Sequence, residues 1–357
     1  MPQKIKNDTT LIVPAAGGSS RYPGMRPKWM LTHPDGKLMI EKVLEEFSYE
    51  SYKKTFIVIL QEHCEKFEAD IILEQAFKGA IEIVILKNKT NSCPETVFET
   101  ITRNNISGQI VIKDTDCIVK TNNVLNKSFV VGMQVLSNSE ITNIQNKSFI
   151  VKNDNNIVQD IVEKSIVSNN ICLGVYSLTT SDFTRAYNEI IGSSVAFNTK
   201  ELYMSHIVSY LILFKNVIFE YVEAEKYIDW GTLNEWTKEK EKHKTYIFDI
   251  DGVMLRNYGK YGSKNWKNTF EPIHENFELV KRLSENNEII FMTSRPEECV
   301  IQFKHYLKRQ GIKYKTIITS CNHSKRLIIN DFAPTNPYPS CESFSVKRNS
   351  ILKSYLS

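Results

Sequence analysis

The sequence predicts an α/β protein in two domains, and three observations predict it. Short β-branched runs alternate with longer amphipathic runs along the chain. Such alternation is the signature of helices layered on a mainly parallel sheet. Two of the strand-like runs end in groups suited to phosphate chemistry, a glycine turn after Leu11-Ile-Val13 and paired aspartates at Phe248-Asp-Ile-Asp-Gly252. The length of 357 residues also suits two domains, since one domain takes roughly 100–200 residues.

Taken in order, Leu11-Ile-Val13, Thr55-Phe-Ile-Val-Ile-Leu60, Ile81-Glu-Ile-Val-Ile-Leu86 and Gln109-Ile-Val-Ile112 read as strands, and 39–48 and 94–103 as helices. The Asn/Lys-rich stretch 138–170 still carries a strand-like run, Ser148-Phe-Ile-Val-Lys152. The charged run Trp236-Thr-Lys-Glu-Lys-Glu-Lys-His-Lys244 offers little to bury and marks a seam. It separates a first domain over 1–241 from a second over 242–357. In the second, 245–249, 288–293, 315–319 and 326–330 read as strands, with helices near 274–286 and 297–310. Ligands of such sheets sit beyond the carboxyl ends of the strands.

Composition removes several classes. Hydrophobic residues make up 41% and charged residues 24%, which is enough apolar material for a core and excludes a disordered chain. The 45 basic and 41 acidic side chains leave a net charge of +4, too little for a nucleic-acid binder's basic stripe. No apolar run approaches the roughly 20 residues of a membrane span. The opening residues run too soon into a glycine turn to read as a secretory signal. Seven cysteines without a CxxC pair do not support a disulfide framework. A cytoplasmic protein without membrane insertion is expected, and a homo-oligomer is compatible with the sequence.

The densest motif is Leu11-Ile-Val-Pro-Ala-Ala-Gly-Gly-Ser-Ser-Arg-Tyr-Pro-Gly-Met-Arg-Pro-Lys-Trp-Met-Leu31. After the strand and Ala16, Gly17, Gly18, Ser19 and Ser20 let the backbone approach a ligand and aim amides at it. Arg21 and Lys28 add cations for a triphosphate, and Pro27 fixes the approach of Lys28. Neither the GxxxxGK[ST] loop nor the GxGxxG fingerprint is present. The segment resembles the opening of the sugar-phosphate nucleotidyltransferases, a strand followed by AGxGxR and then PKxL. Ser19 departs from the pattern, because the family usually has glycine there.

Further segments resemble that family in its own order. Ser92-Cys-Pro-Glu-Thr-Val97 resembles the turn that contacts the base, which implies Ser92, Glu95 and Thr96. Ile110-Val-Ile-Lys-Asp-Thr-Asp116 ends a strand in two carboxylates; the resemblance implies Asp116 as a magnesium ligand, with Asp114 beside the nucleotide. Ile161-Val-Glu-Lys164, Asn170-Ile-Cys-Leu-Gly-Val-Tyr176 and Lys200-Glu-Leu-Tyr203 resemble the acceptor pocket, implying Glu163, Lys164, Gly174 and Glu201. Tyr227-Ile-Asp-Trp-Gly-Thr232 resembles the closing D-x-G-T element, with Asp229 as the second magnesium ligand. The implied fold is Rossmann-like, of the GT-A type, with a mixed, mainly parallel sheet.

In the second domain, aspartates at i and i+2 on a curling strand end can face one ligand, one as nucleophile and one as general acid/base. A calcium loop is excluded, because the third acidic position and a glutamate at position 12 are missing. Phe248-Asp-Ile-Asp-Gly-Val253, Ile289-Ile-Phe-Met-Thr-Ser-Arg295 and Lys325 before Leu327-Ile-Ile-Asn-Asp331 together resemble the haloacid dehalogenase (HAD) superfamily of phosphatases. That resemblance implies a Rossmannoid fold with a minimal cap, Asp249 as nucleophile and Asp251 as acid/base. It further implies Thr293 and Lys325 as phosphate holders, and Asp249, Asp251 and Asp331 around magnesium. The glycine- and aromatic-rich stretch 256–266 reads as a loop over the pocket, and Asn336-Pro-Tyr-Pro-Ser340 as a rigid loop.

The two resemblances imply a Mg²⁺-dependent nucleotidyltransferase of the EC 2.7.7 class. It would join an NTP, CTP favoured, to a phosphorylated sugar or polyol in bacterial capsule or other surface-polysaccharide precursor synthesis, with a second phosphatase activity of the EC 3.1.3 class. Two other readings are compatible with the sequence. One makes the phosphatase the main activity beside a sugar-nucleotide binder. The other is a non-catalytic sensor or scaffold.

Overall fold

The structure, a computed structural model, describes residues 7–121, 127–137, 141, 143–193, 201–259, 266–267, 270–331 and 340–356. Lys200, residues 260–265 of the glycine- and aromatic-rich loop and residues 336–339 of the proline loop lie outside them. The chain divides into two compact units between Trp236 and Thr237. The sequence places the seam a few residues later, at 241/242. The charged run that marks it lies partly on a helix, and the division falls within that helix.

The first unit runs β1 (Asn7–Pro14), α1 (Met39–Glu46), β2 (Tyr52–Leu60), α2 (Gln61–Phe67), α3 (Ala69–Phe77), β3 (Glu82–Leu86), α4 (Cys93–Arg103), β4 (Gln109–Lys113) and β5 (Cys117–Lys120). It continues through β6 (Phe129–Gln134), β7 (Ser148–Lys152), β8 (Ile157–Glu163), β9 (Asn170–Thr179), α5 (Thr180–Gly192), α6 (Met204–Lys215), β10 (Phe219–Glu223), β11 (Lys226–Asp229) and α7 (Leu233–Glu241), whose end belongs to the second unit. The main sheet has the order β3-β2-β1-β4-β9-β6-β10-β8-β7.

The expectation of a mainly parallel sheet holds for only part of this order. Strands β3, β2, β1 and β4 are mutually parallel, whereas β9 runs antiparallel to both β4 and β6, and β8 antiparallel to both β7 and β10. The physical reason is connection length. Helical crossovers join β1 to β4, but the four residues between β7 and β8 permit only a hairpin. Along β1 the pleat sends Leu11 and Val13 into one core with Ile40 and Leu44 of α1. Ile12 goes into the opposite core with Val97 of α4 and Phe183 of α5. A strand covered on both faces reads as an unbroken apolar run, which is why these strands were legible.

The second unit contains β12 (Thr245–Asp249), α8 (His274–Leu283), β13 (Glu288–Met292), α9 (Ile301–Gln310) and β14 (Thr316–Ile318). The sheet β12-β13-β14 is parallel, with Phe248 opposite Phe291. Phe277 and Val280 of α8 and Phe303 and Leu307 of α9 pack on that pair. Fully buried Asn276 ties the C-terminal segment down: its amide donates to the carbonyls of Val253 (2.7 Å) and Ser350 (3.0 Å), and its oxygen accepts from Leu352 N (2.8 Å). The strand expected over 326–330 does not form. That segment is irregular, with Leu327 and Ile329 exposed at 74% and 93%. Strand propensity is realised only against a partner edge, and among the described residues none pairs with it. No helix among the described residues is long and apolar enough to cross a membrane, and all seven cysteines are free thiols.

Candidate active site

The first site gathers at the carboxyl ends of β1 and β4 and on the two-stranded ribbon of β5 and β11. Antiparallel pairing of that ribbon sets Asp229 opposite Cys117, so Asp116 and Asp229 become neighbours although far apart in sequence. Trp230 N donates to Asp116 O at 2.8 Å and fixes the junction. Gly231 lies between the two carboxylates. A Cβ there would stand 3.0 Å from Asp229 Oδ1, 3.6 Å from Asp116 Oδ2 and 3.4 Å from Arg21 Nη1.

Each carboxylate has its own lysine. Lys28 pairs with Asp116, and Lys147 pairs with Asp229 while also donating to Tyr227 Oη at 2.9 Å. Burial would raise the Asp116 carboxyl, but the Lys28 ammonium outweighs it, helped by Arg21 and Lys147, and holds it well below the usual carboxylate range. For Asp229 burial wins over Lys147 and raises the carboxyl. Burial, then the charge of Asp116, push Asp114 up to about 6. Beneath them the wholly buried Lys113 donates to the carbonyls of Asp114 and Cys117, both at 2.8 Å, and so braces the turn that carries both aspartates.

The glycine turn follows the same logic. Ala16 is buried at the strand end, and Gly17, Gly18 and Ser20 are exposed. Ser19 adopts φ +46°, a left-handed conformation that costs a side chain about 1–2 kcal/mol. This accounts for glycine being usual at that place in the family that the sequence resembles. Here the serine hydroxyl offsets part of the cost by accepting from Lys28 N at 3.0 Å. Tyr22 is buried, and its one hydroxyl proton is shared between the carbonyls of Trp230 and of Thr232 (2.9 Å), which joins the glycine turn to the Asp229 turn.

The residues expected at the base have local work. Ser92 caps α4, accepting from Glu95 N at 3.2 Å, and the Glu95 carboxylate accepts from Asn91 N at 2.6 Å. Thr96 is buried, with its hydroxyl 2.6 Å from that of Thr90. On the acceptor side, Glu163 accepts from the hydroxyls of Ser148 and Ser205. The Lys164 ammonium lies 4.2 Å over the Tyr203 ring, and Tyr203 in turn bonds Glu201. Gly174 has φ +67°, and a Cβ on it would collide with the Asp114 carboxylate.

The second unit brings together only part of its expected set. Asp249 ends β12 at an exposed position, and its carboxylate accepts from Ile250 N at 2.8 Å. Desolvation by the surrounding chain raises its carboxyl, the Ile250 N–H opposes, and the Asp251 charge adds to the rise more than Arg326 subtracts from it. Gly252 makes the turn at φ +85°, where Arg348 Cγ would stand 3.0 Å from a Cβ. Asp251 is not left open as an acid/base. Arg295, 2% exposed, grips it through Nε–Oδ2 at 2.9 Å and Nη2–Oδ1 at 2.6 Å. Thr293 is fully buried and its hydroxyl donates to Asp251 at 3.4 Å. Lys325 and Asp331 lie on the exposed irregular segment, and among the described residues neither contacts Asp249 or Asp251. Among the described cations, the charge of Arg326, the residue after Lys325, lowers the Asp249 carboxyl, less than the Ile250 N–H does.

Sequence reasoning missed Lys147, Lys113 and Tyr22 in the first unit and Arg295, Arg326 and Arg348 in the second. Lys147 lies in an Asn/Lys-rich stretch, where one more lysine carries no signal. Arg295 was visible, closing the Thr293-Ser-Arg295 segment opposite a lone carboxylate pair.

No family model matches the chain, and no curated protein matches it. Solved structures do match. A nucleoside-diphosphate-sugar pyrophosphorylase from Vibrio cholerae RC9 is similar with TM-score 0.55 and 21% identity, over 65% of this chain and 99% of that one. An inositol-1-phosphate CTP transferase from T. maritima gives 0.50 and 12%, over 65% and 96%. A UDP-glucose pyrophosphorylase complexed with UDP-glucose gives 0.50 and 14%, over 66% and 98%. At these identities the likeness is one of fold, a mixed α/β fold shared with sugar nucleotidyltransferases.

Proposed function

We propose that the first unit is a Mg²⁺-dependent nucleotidyltransferase that joins an NTP to a phosphorylated sugar or polyol and releases pyrophosphate. The observation that carries this reading is the pair Asp116 and Asp229, set on either side of Gly231 with Arg21 beside them and one lysine on each. Two carboxylates converging on one point are a hard-oxygen donor set that fits Mg²⁺ with phosphate oxygens completing the shell. Bound there, the ion would supply charge neutralisation between two anionic substrates.

The remaining work falls to the chain. The amides of the glycine turn receive the triphosphate, and Arg21 and Lys28 neutralise it. Lys164, beside Glu163, orients the acceptor's phosphate. An acceptor phosphate oxygen attacks the α-phosphorus, the bond to the β-phosphate bridging oxygen breaks, and pyrophosphate leaves with the electron pair. No protein nucleophile is required, so positioning and electrostatics carry the rate. The fold relatives include a CTP transferase and sugar-nucleotide pyrophosphorylases. We favour CTP and a role in capsule or other surface-polysaccharide precursors.

For the second unit the reading is a HAD-like hydrolase with Asp249 as nucleophile. The Asp249-Ile-Asp-Gly252 turn at a parallel strand end supports it. The Arg295–Asp251 pair requires that Arg295 release Asp251 before it can act as acid/base. An assay of four NTPs crossed with phosphorylated sugars and polyols in Mg²⁺, scoring pyrophosphate and free phosphate separately, tests both readings. Pyrophosphate release, greatest with CTP, is expected. Folded protein that releases none with any pair would sink the transferase reading.

A further inference from the structure

Around the glycine turn, the lysines already described are engaged. Lys28 and Lys147 hold carboxylates, Lys113 holds carbonyls, and Lys164 lies on Tyr203. Lys89 differs. Among the described residues it makes no ion pair and no hydrogen bond, and it is exposed. It folds back over the turn, so that a Cβ built on Gly18 would stand 2.6 Å from Lys89 Nζ and 3.2 Å from its Cε. The two glycines therefore serve different purposes. Next to Gly17 nothing lies within 4 Å, which leaves room for a ligand. Gly18 does not have a positive φ, so its backbone alone does not demand glycine. The neighbour that a side chain there would meet is the flexible end of Lys89, which would have to move aside.

The backbone that follows Lys89, three residues beyond β3, is held at the start of α4, where Thr90 meets Thr96, Asn91 N donates to Glu95 and Ser92 caps the helix. A cation without a counter-ion among the described residues, on a flexible stem whose backbone is anchored beside an amide-lined turn, is suited to a multiply charged phosphate chain. Arg21 and Lys28 lie toward Asp116 and Gly231, where bond exchange would occur. Lys89 lies at Gly18 instead. We propose that Lys89 is a further nucleotide-binding residue that grips the outer phosphates of the triphosphate, the part that departs as pyrophosphate, and that Gly18 is small in order to admit it. This rests on the nucleotidyltransferase reading of the same turn.

The test is calorimetric binding to the full chain in Mg²⁺, with inorganic pyrophosphate, CTP and CMP as probes and circular dichroism as a check of folding. Lys89→Met should weaken pyrophosphate and CTP by about tenfold or more, leave CMP unchanged, and be largely rescued in Lys89→Arg. Gly18→Ala should weaken pyrophosphate similarly in the wild-type background and add nothing to Lys89→Met. Equal effects of Gly18→Ala in both backgrounds would mean that the glycine makes room for ligand instead, and would overturn the second half of the proposal. Wild-type protein that fails to bind pyrophosphate, or Lys89→Met that binds it normally, would overturn the first. Lys89-dependent pyrophosphate binding in a protein that turns over no NTP would uphold Lys89 while rejecting the proposed reaction.

Discussion

Lys28 is where the charge balance of the first site is decided. Its ammonium leads the charges, with Arg21 and Lys147, that together outweigh the burial of Asp116 and hold that carboxyl low, and in the proposed reaction it would also face the triphosphate. Replacing Lys28 with alanine removes one flexible, partly exposed side chain and opens little apolar space, so the fold should survive. Turnover should fall by roughly 10²–10³, the scale of losing one preorganised charge donor. Pyrophosphate release at near-normal rate in a folded Lys28→Ala protein would refute the role. Lys28 was legible because it stands seven positions beyond Arg21 in one continuous motif. Lys147 was not, because its tie to Asp229 spans 82 positions and exists only once the ribbon has formed. The same holds in the second unit, where Asp251 reads as a free carboxylate until the fold brings buried Arg295 against it, 44 positions away.

Two helices of the first unit share a device that makes their stability depend on pH. His63 and His206 are buried near the starts of α2 and α6, and each accepts a backbone N–H through Nδ1, from Leu60 at 3.4 Å and Tyr203 at 3.1 Å. Burial lowers both imidazole pKa values, with Glu62 and Glu163 opposing. An accepting nitrogen must be unprotonated, so the folded state resists a proton that the unfolded chain takes up at the ordinary histidine value. The unfolded state then binds more protons, and stability is complete above that value and is lost as pH falls through it toward the folded-state value. The thermal midpoint should therefore drop between pH 7.5 and 5.5. It should drop less in the His63→Gln, His206→Gln double variant, whose amide oxygens can accept the same N–H at either pH. An unchanged slope would remove the histidines from the account. At this scale the sequence was a good guide wherever an element is enclosed: β1, β2 and β4 show as apolar runs because both of their faces are covered. It misled over 326–330, where the same kind of run has no partner edge, and over sheet direction, which is set by connections rather than by the strands themselves.

The whole molecule carries two candidate sites on two units with separate cores. In the first, apolar clusters cover both faces of the main sheet. In the second, a single cluster around Phe248, Phe291 and Phe303 is closed by Leu352 near the chain's end. Near-isosteric substitutions at exposed or ion-paired carboxylates disturb neither kind of core, so each should report on its own chemistry. Asp116→Asn keeps the shape but removes the charge that balances Lys28 and that would hold Mg²⁺. It should abolish pyrophosphate release and leave free-phosphate release from a phosphate ester unchanged. Asp249→Asn removes the proposed nucleophile's charge and should do the reverse. If Asp249→Asn leaves phosphate release intact, hydrolysis does not reside at β12, and the Arg295–Asp251 pair is then better read as a brace for the turn than as a held acid. If Asp116→Asn silences both products, the two reactions depend on one metal site, and the division of labour between the units is wrong. Loss of one product in each variant is the outcome expected if the two proposed reactions run separately on the two carboxylate turns.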